Sequence, residues 1–223
     1  MTPSFYRQRS PNPMLTQTDT FWSTLATATN IGKYISSLAI RCFFTNYDAN
    51  IAQRKFLVLD LEGVLFYSTI ERPEKRYDFF VQYMDGGQRC THFVTLRPMI
   101  REFFASVSEW YEVVLYTTME KVVAVEMAMR LEEEVPGCHF SRMLYRQDCD
   151  YINGKYLKDL KKVSSDMSSV VMLDCEYEPY NNKLPIDPFN GEIKDRSLLS
   201  SMIILDCLRY CSDVRSILEL AHL

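Results

Sequence analysis

The chain lacks any run of 18 uncharged apolar residues, so composition offers no membrane-spanning helix. It also lacks a basic leader followed by a short apolar stretch, the pattern of a secreted precursor. Its seven cysteines are an odd, scattered set without paired spacing, which points to free thiols in a reducing compartment rather than a disulfide framework. Cys138-His139 has no second ligand pair at zinc spacing, and the three histidines lie too far apart to suggest a triad. An excess of positive charge is missing as well. The 25 Lys and Arg against 29 Asp and Glu give a net charge of −4, which argues against a nucleic-acid binder.

What is present is an ordinary globular composition, 47% hydrophobic and 24% charged, in 223 residues. That length suits one full core and excludes two large domains. Residues 1–49 read as a basic, Ser/Thr-rich segment, and residues 50–223 as the folded domain. Residues 1–44 carry Arg7, Arg9, Lys33 and Arg41 against Asp19, so +3, which leaves −7 for the remainder. Within residues 21–44, Ile31, Ile35, Leu38 and Cys42 follow helical spacing, while Lys33, Ser36, Ser37 and Arg41 fall largely elsewhere. This stripe fits a helix lying on a membrane surface, and it equally fits a helix packed on the chain's own core. Both readings stay open.

Further along, short apolar runs alternate with amphipathic stretches. Phe56–Leu59, Tyr111–Tyr116 and Val170–Leu173 read as buried strands, and Arg142–Tyr145 as a short one. Tyr77–Met84 and Thr91–Thr95 flank Asp85-Gly86-Gly87, a hairpin signal. Arg97-Pro98 is expected to open a helix through Ile100, Phe103 and Phe104. A second helix runs through Met127 and Leu131 until Pro136-Gly137 stops it. Ser197–Tyr210 and Val214–Leu218 are expected terminal helices, the last preceded by a Ser212-Asp213 cap. Such alternation predicts an α/β fold, a mostly parallel sheet with helices on both faces.

The polar residues that close these strands carry the chemistry. Asp60 and Glu62 follow the first strand, Thr117 and Thr118 the second, and Asp174 the third, with Lys158 shortly before it. Ligands of open α/β sheets bind just beyond the carboxyl ends of the strands. An acid pair, a hydroxyl, a lysine and a further acid, in that order, are the parts of aspartate-based phosphoryl transfer. One carboxylate attacks phosphorus, and a divalent cation offsets its repulsion from the phosphate oxygens. Lysine and hydroxyl donors hold those oxygens, and a second acid serves the leaving group and then water.

The segment Asp60-Leu61-Glu62-Gly63-Val64 resembles the first motif of the haloacid dehalogenase (HAD) superfamily. Trp110–Met119, Tyr145–Cys149, Tyr156–Leu160 and Leu208–Leu218 are similar to the small C-terminal-domain phosphatases, and within them to the dullard-type nuclear envelope phosphatases. The similarity covers roughly residues 50–220. The mitochondrial inner-membrane import subunit that shares this domain is a second relative, with an Asp-Cys that resembles Asp174-Cys175.

The resemblance implies a HAD Rossmann-like core with a β-hairpin insertion near the site, Mg²⁺, a phosphoaspartate intermediate, and phosphoserine or phosphothreonine substrates. Carried over by position, Asp60 is the nucleophile and Glu62 the acid/base. Thr117 and Lys158 hold phosphate, while Thr118 and Arg146 contact substrate. Asp60, Glu62 and Asp174 form the metal end. Dullard-type members imply the endoplasmic reticulum and nuclear envelope, a lipin-type phosphatidate phosphatase as substrate, and a small membrane partner. The departures fall on the chemistry: Glu62 stands where the family has Asp, Thr118-Met119 where it has Ala-Ser, and Cys175 where it has a metal-ligating Asn. Two expectations follow, a weakly active phosphatase or a pseudophosphatase that binds phosphoprotein or membrane partners.

Overall fold

The computed structural model describes residues 54–74, 76–176 and 181–219. The N-terminal segment and its stripe over residues 21–44 lie outside the described residues. In chain order the elements are β1 (Lys55–Leu59), β2 (Phe66–Thr69), β3 (Phe79–Asp85), β4 (Gln88–Leu96), α1 (Ile100–Trp110), β5 (Tyr111–Tyr116), α2 (Lys121–Glu134), β6 (Arg142–Leu144), β7 (Asp150–Ile152), β8 (Lys155–Leu157), β9 (Val170–Asp174), β10 (Lys183–Pro185), α3 (Ser197–Leu208) and α4 (Arg215–Leu218).

Five strands form one parallel sheet in the order β10-β9-β1-β5-β6, which puts β1 at its centre. A strand flanked on both sides and covered on both faces must be apolar throughout. Leu57, Val58 and Leu59 are accordingly fully buried. Leu57 and Leu59 join the larger core with Phe103 and Phe104 of α1, Met127 and Leu131 of α2, and Leu205 of α3. Val58 faces the other way, into a smaller cluster with Val114, Tyr116, Leu160 and Met172. Two 3₁₀ turns, Leu160–Lys162 and Met167–Ser169, border that second face. The sheet is thus covered on both sides, by α-helices on one and, among the described residues, by single 3₁₀ turns on the other, where helices were expected.

The hairpin signal at Gly86-Gly87 is met by β3 and β4, with both glycines at positive φ, 52° and 83°, and Asp85 paired to Gln88. Its surroundings are larger than the sequence suggested, because β2 pairs with β4 and makes a three-stranded antiparallel sheet. A second hairpin, β7-β8, turns at Asn153-Gly154, with φ of 52° and 82°. Asn-Gly is the strongest short hairpin signal, so this element was readable and went unread.

The expectation that Arg97-Pro98 opens a helix is corrected. Helix α1 begins at Ile100, behind Met99 at φ 67°. Arg97 instead prolongs β4, its amide donating to Leu65 O at 3.0 Å. Its guanidinium turns inward, reaching Gly63 O at 3.0 Å, Asp187 O at 2.7 Å and both carboxylate oxygens of Asp195 at 2.8 Å. A fully buried arginine needs all of these acceptors to offset its lost hydration. It thereby ties the loop after β1 to residues 187 and 195.

Candidate active site

The parallel register decides what meets at the sheet's carboxyl edge. Leu59 lies opposite Leu115 on one side and Leu173 on the other, so Asp60 and Asp174 emerge level and Thr117 emerges beside them. Lys158 comes from the loop after β8. Its neighbour Asp159 donates its amide to Tyr116 Oη at 3.2 Å, which pins that loop to the end of β5. The Lys158 ammonium then bonds both Asp60 and Asp174, and all three side chains are almost wholly buried.

This cluster has two carboxylates and one ammonium. Burial works against the charged lysine, but Asp60 and Asp174 outweigh it and hold its pKa above the ordinary lysine value. Asp60 also accepts the Leu61 amide at 2.6 Å, and Asp174 accepts the Glu176 amide at 2.8 Å. Buried carboxylates that are each paired and hydrogen-bonded are compatible with the interior.

Asp60, Glu62, Thr117, Thr118, Arg146, Cys175 and Glu176 line one open cleft of about 430 Å³. A larger hollow of about 960 Å³ opens on the β10–α3 side of Asp174, where Lys183 and Arg196 line it, but Asp60 and Thr117 face the smaller cleft. Thr117 is buried and its hydroxyl oxygen accepts the Met119 amide at 3.2 Å. Thr118 donates to Glu176 across the cleft at 3.4 Å. Arg146 sits at the rim, where Nε donates to Thr118 O at 2.7 Å and Glu120 holds its other end at 2.6 Å.

Glu62 is turned onto β2. Its Oε1 accepts the Ser68 amide at 2.9 Å and its Oε2 accepts the Ser68 hydroxyl at 2.7 Å. Burial raises the Glu62 pKa above the ordinary carboxylate value, against the lowering effect of these two bonds. Cys175 is half-buried beside this loop, with Sγ directed at Glu62 O, 3.8 Å away. Burial, with Asp174 and Asp60 adding, pushes its thiol up to about 11, so it stays protonated at neutral pH.

Gly63 takes φ 74°, and a Cβ there would stand 2.8 Å from Cys175 Sγ, so glycine is required on both counts. Of the residues expected from sequence, Asp60, Glu62, Thr117, Thr118 and Arg146 line this cleft and Lys158 joins Asp60 to Asp174 behind it, whereas Ser68, Arg97 and Asp195 were not anticipated. A lone serine or arginine in a strand carries no sequence signal of such a role.

The solved structure of a variant of fission yeast RNA polymerase II CTD phosphatase Fcp1 bound to beryllium fluoride superimposes with a TM-score of 0.51 at 20% identity. That match covers 68% of this chain and 46% of the other, less than half of it, and establishes the fold. CTD nuclear envelope phosphatase 1B of Danio rerio is 34% identical over 181 residues, 76% of this chain and 73% of its own length. Nuclear envelope morphology protein 1 of Saccharomyces cerevisiae is 30% identical over 193 residues, 78% of this chain and 43% of its own. Residues 55–215 match the NLI interacting factor-like phosphatases, and the chain belongs to that family.

Proposed function

We propose that the chain is a magnesium-dependent protein serine/threonine phosphatase that works through an aspartyl-phosphate on Asp60. The observation that carries this reading is the buried convergence of Asp60, Lys158 and Asp174 at the ends of β1 and β9, beside Thr117. A buried group of two carboxylates and one ammonium is net negative, so a phosphate dianion would be repelled from it. A divalent cation reverses that balance. The oxygens of Asp60 and Asp174 suit it, because magnesium takes one or two carboxylates and completes its shell with water and phosphate. When bound there, it would shield the incoming phosphate from the attacking carboxylate.

This chain's own residues then divide the work. Asp60 attacks phosphorus and the bond to the serine or threonine oxygen breaks. Lys158 and the Thr117 hydroxyl donate to the equatorial oxygens, where charge redistributes. Glu62, its pKa raised by burial, gives its proton to the departing oxygen. It next takes a proton from the water that cleaves the aspartyl-phosphate, restoring both acids and releasing phosphate. Arg146 and Thr118, at the rim, face the substrate chain.

The relatives' names support a place at the nuclear envelope. The dullard resemblance adds a lipin-type substrate and a small membrane partner to this proposal. No helix among the described residues is long and apolar enough to cross a membrane. One observation favours the pseudophosphatase instead: Cys175 offers a neutral thiol, a poor ligand for magnesium, beside the metal end.

The test is hydrolysis of an aryl phosphate and a phosphoserine peptide by the purified chain, with and without magnesium. Turnover that needs magnesium and disappears in Asp60→Asn supports the enzyme, as does a beryllium fluoride adduct on Asp60. Tight phosphopeptide binding without turnover supports the scaffold.

A further inference from the structure

The two bonds from Ser68 to Glu62 continue into the antiparallel sheet. Ser68 Oγ lies 3.3 Å from His92 Nδ1, and His92 Nε2 lies 3.1 Å from Tyr83 Oη. Ser68 stands on β2, His92 on β4 and Tyr83 on β3, so one hydrogen-bonded line crosses all three strands and ends on the acid of the cleft.

Donor counting fixes its direction. A serine hydroxyl has one proton, and while Glu62 is the carboxylate that proton goes to Glu62 Oε2. Ser68 Oγ must therefore accept from His92, which makes Nδ1 the protonated ring nitrogen. In a neutral ring Nε2 is then the acceptor and Tyr83 Oη–H its donor. Burial favours this neutral form of both rings, lowering the pKa of His92 and raising that of Tyr83. Each group in the line thus has one role that satisfies its neighbours.

We propose that Ser68, His92 and Tyr83 are positioning residues for Glu62, a line of hydrogen bonds that fixes the longer acid side chain where it serves the leaving group. The inference rests on the phosphatase reading above. It also explains how glutamate can stand at a position where the family has a shorter acid. The extra methylene needs a second point of support, and β2 supplies it through both the amide and the hydroxyl of Ser68. His92 does not line the cleft; it acts by holding the Ser68 hydroxyl in the rotamer that points its proton at Glu62.

The experiment uses the full chain and two variants. His92→Phe removes the bond to Ser68 and keeps a ring of similar size, whereas His92→Asn keeps a donor near the Nδ1 position. The rate of phosphoenzyme formation is read with a phosphoserine peptide, whose leaving group needs a proton, and with 2,4-dinitrophenyl phosphate, whose leaving group needs none. His92→Phe should slow the peptide reaction about 10- to 100-fold with KM nearly constant, by the usual scale of a misplaced catalytic group. Its effect on the dinitrophenyl ester should stay below about threefold, and His92→Asn should recover most of the peptide rate. Equal losses on both substrates, or no recovery in His92→Asn, would overturn the proposal.

A second measurement does not depend on turnover. Long-range ¹H–¹⁵N spectra of the wild-type chain, taken at a pH where Glu62 is ionised, should show His92 as the neutral Nδ1–H tautomer, the one free histidine disfavours. An Nε2–H tautomer breaks the line and sinks the proposal even in an active enzyme. A wild-type chain that hydrolyses neither ester, yet shows the Nδ1–H tautomer, refutes the phosphatase reading and with it the catalytic role of the line.

Discussion

Replacing Lys158 by methionine tests the electrostatics of the candidate site most directly. Among the described residues the ammonium is the one cation that bonds both Asp60 and Asp174, and the three side chains are 3%, 6% and 3% exposed. Methionine has a similar volume but leaves two buried carboxylates facing one another. Breaking a buried pair by removing one partner costs about 3–5 kcal/mol, because the remaining charge is uncompensated. For a domain of this size that corresponds to roughly 6–20 °C in Tm, at about 2–4 °C per kcal/mol. The loss should depend on pH, and the sign follows from linkage. Without the lysine, two like charges are buried side by side, and a proton bound between them relieves the repulsion. The folded variant should then bind more protons than the unfolded chain, so its stability should recover as pH falls. In the wild type Lys158 has a profile of the same sign in a much higher pH window. Its raised pKa adds stability that is complete below about 10.4, the unfolded lysine value, and is lost only as pH rises through the higher folded value. Thermal melts of both proteins between pH 4.5 and 8 decide the matter. A gap in Tm that stays constant over that range, or a variant as stable as wild type at neutral pH, would refute the charge-balance argument.

Asp60→Asn should abolish turnover yet leave the melt unchanged or slightly raised, because it leaves one carboxylate for one ammonium; an active Asp60→Asn would refute the nucleophile. Glu62→Gln should lower the phosphoserine rate by about 10²–10⁴-fold, the range of general acid–base catalysis, measured as kcat at fixed pH. Arg97→Met should destabilise by about 3–5 kcal/mol in denaturant melts, since it strips Asp195 of its counter-charge and takes a donor from the Gly63, Val64 and Asp187 carbonyls. Cys175→Asn puts a hard oxygen beside Glu62 O, and magnesium titrations of activity should saturate at lower metal concentration than in wild type; an unchanged curve would show that Cys175 does not face the metal.

Much of the parallel core was legible because its strands are short, mostly apolar runs that end in acids or threonines. Phe56–Leu59, Tyr111–Tyr116 and Val170–Leu173 had no exposed face to display, so continuous hydrophobicity announced them. The neighbouring antiparallel sheet was only half legible. Strand β2 is four residues, Phe66-Tyr67-Ser68-Thr69, too short for a period to emerge, and its pairing with β4 is a tertiary fact. Lys183–Pro185 is shorter still. Arg97 was misread because Pro at the head of a helix is a local statistic, whereas the fate of its neighbour was set by Asp195, 98 residues away.

The site divides along the same line. Asp60, Thr117 and Asp174 could be named because a parallel register delivers strand ends to one edge, so position in sequence implies position in space. Lys158 could be named only through order, since its direction depends on the Asp159 amide bonding to Tyr116. The support of Glu62 could not be read at all. It depends on which way a glutamate turns, and the sequence lists an acid two residues after Asp60 whichever way that is. Only the β2-β4-β3 pairing brings Ser68, His92 and Tyr83, which span residues 68 to 92, into one line. The substitution that looked like damage to the motif therefore has a compensating partner in a sheet the motif does not include. A loss of catalysis cannot be inferred from Glu62 alone; it has to be inferred, or refuted, from Glu62 together with Ser68 and His92.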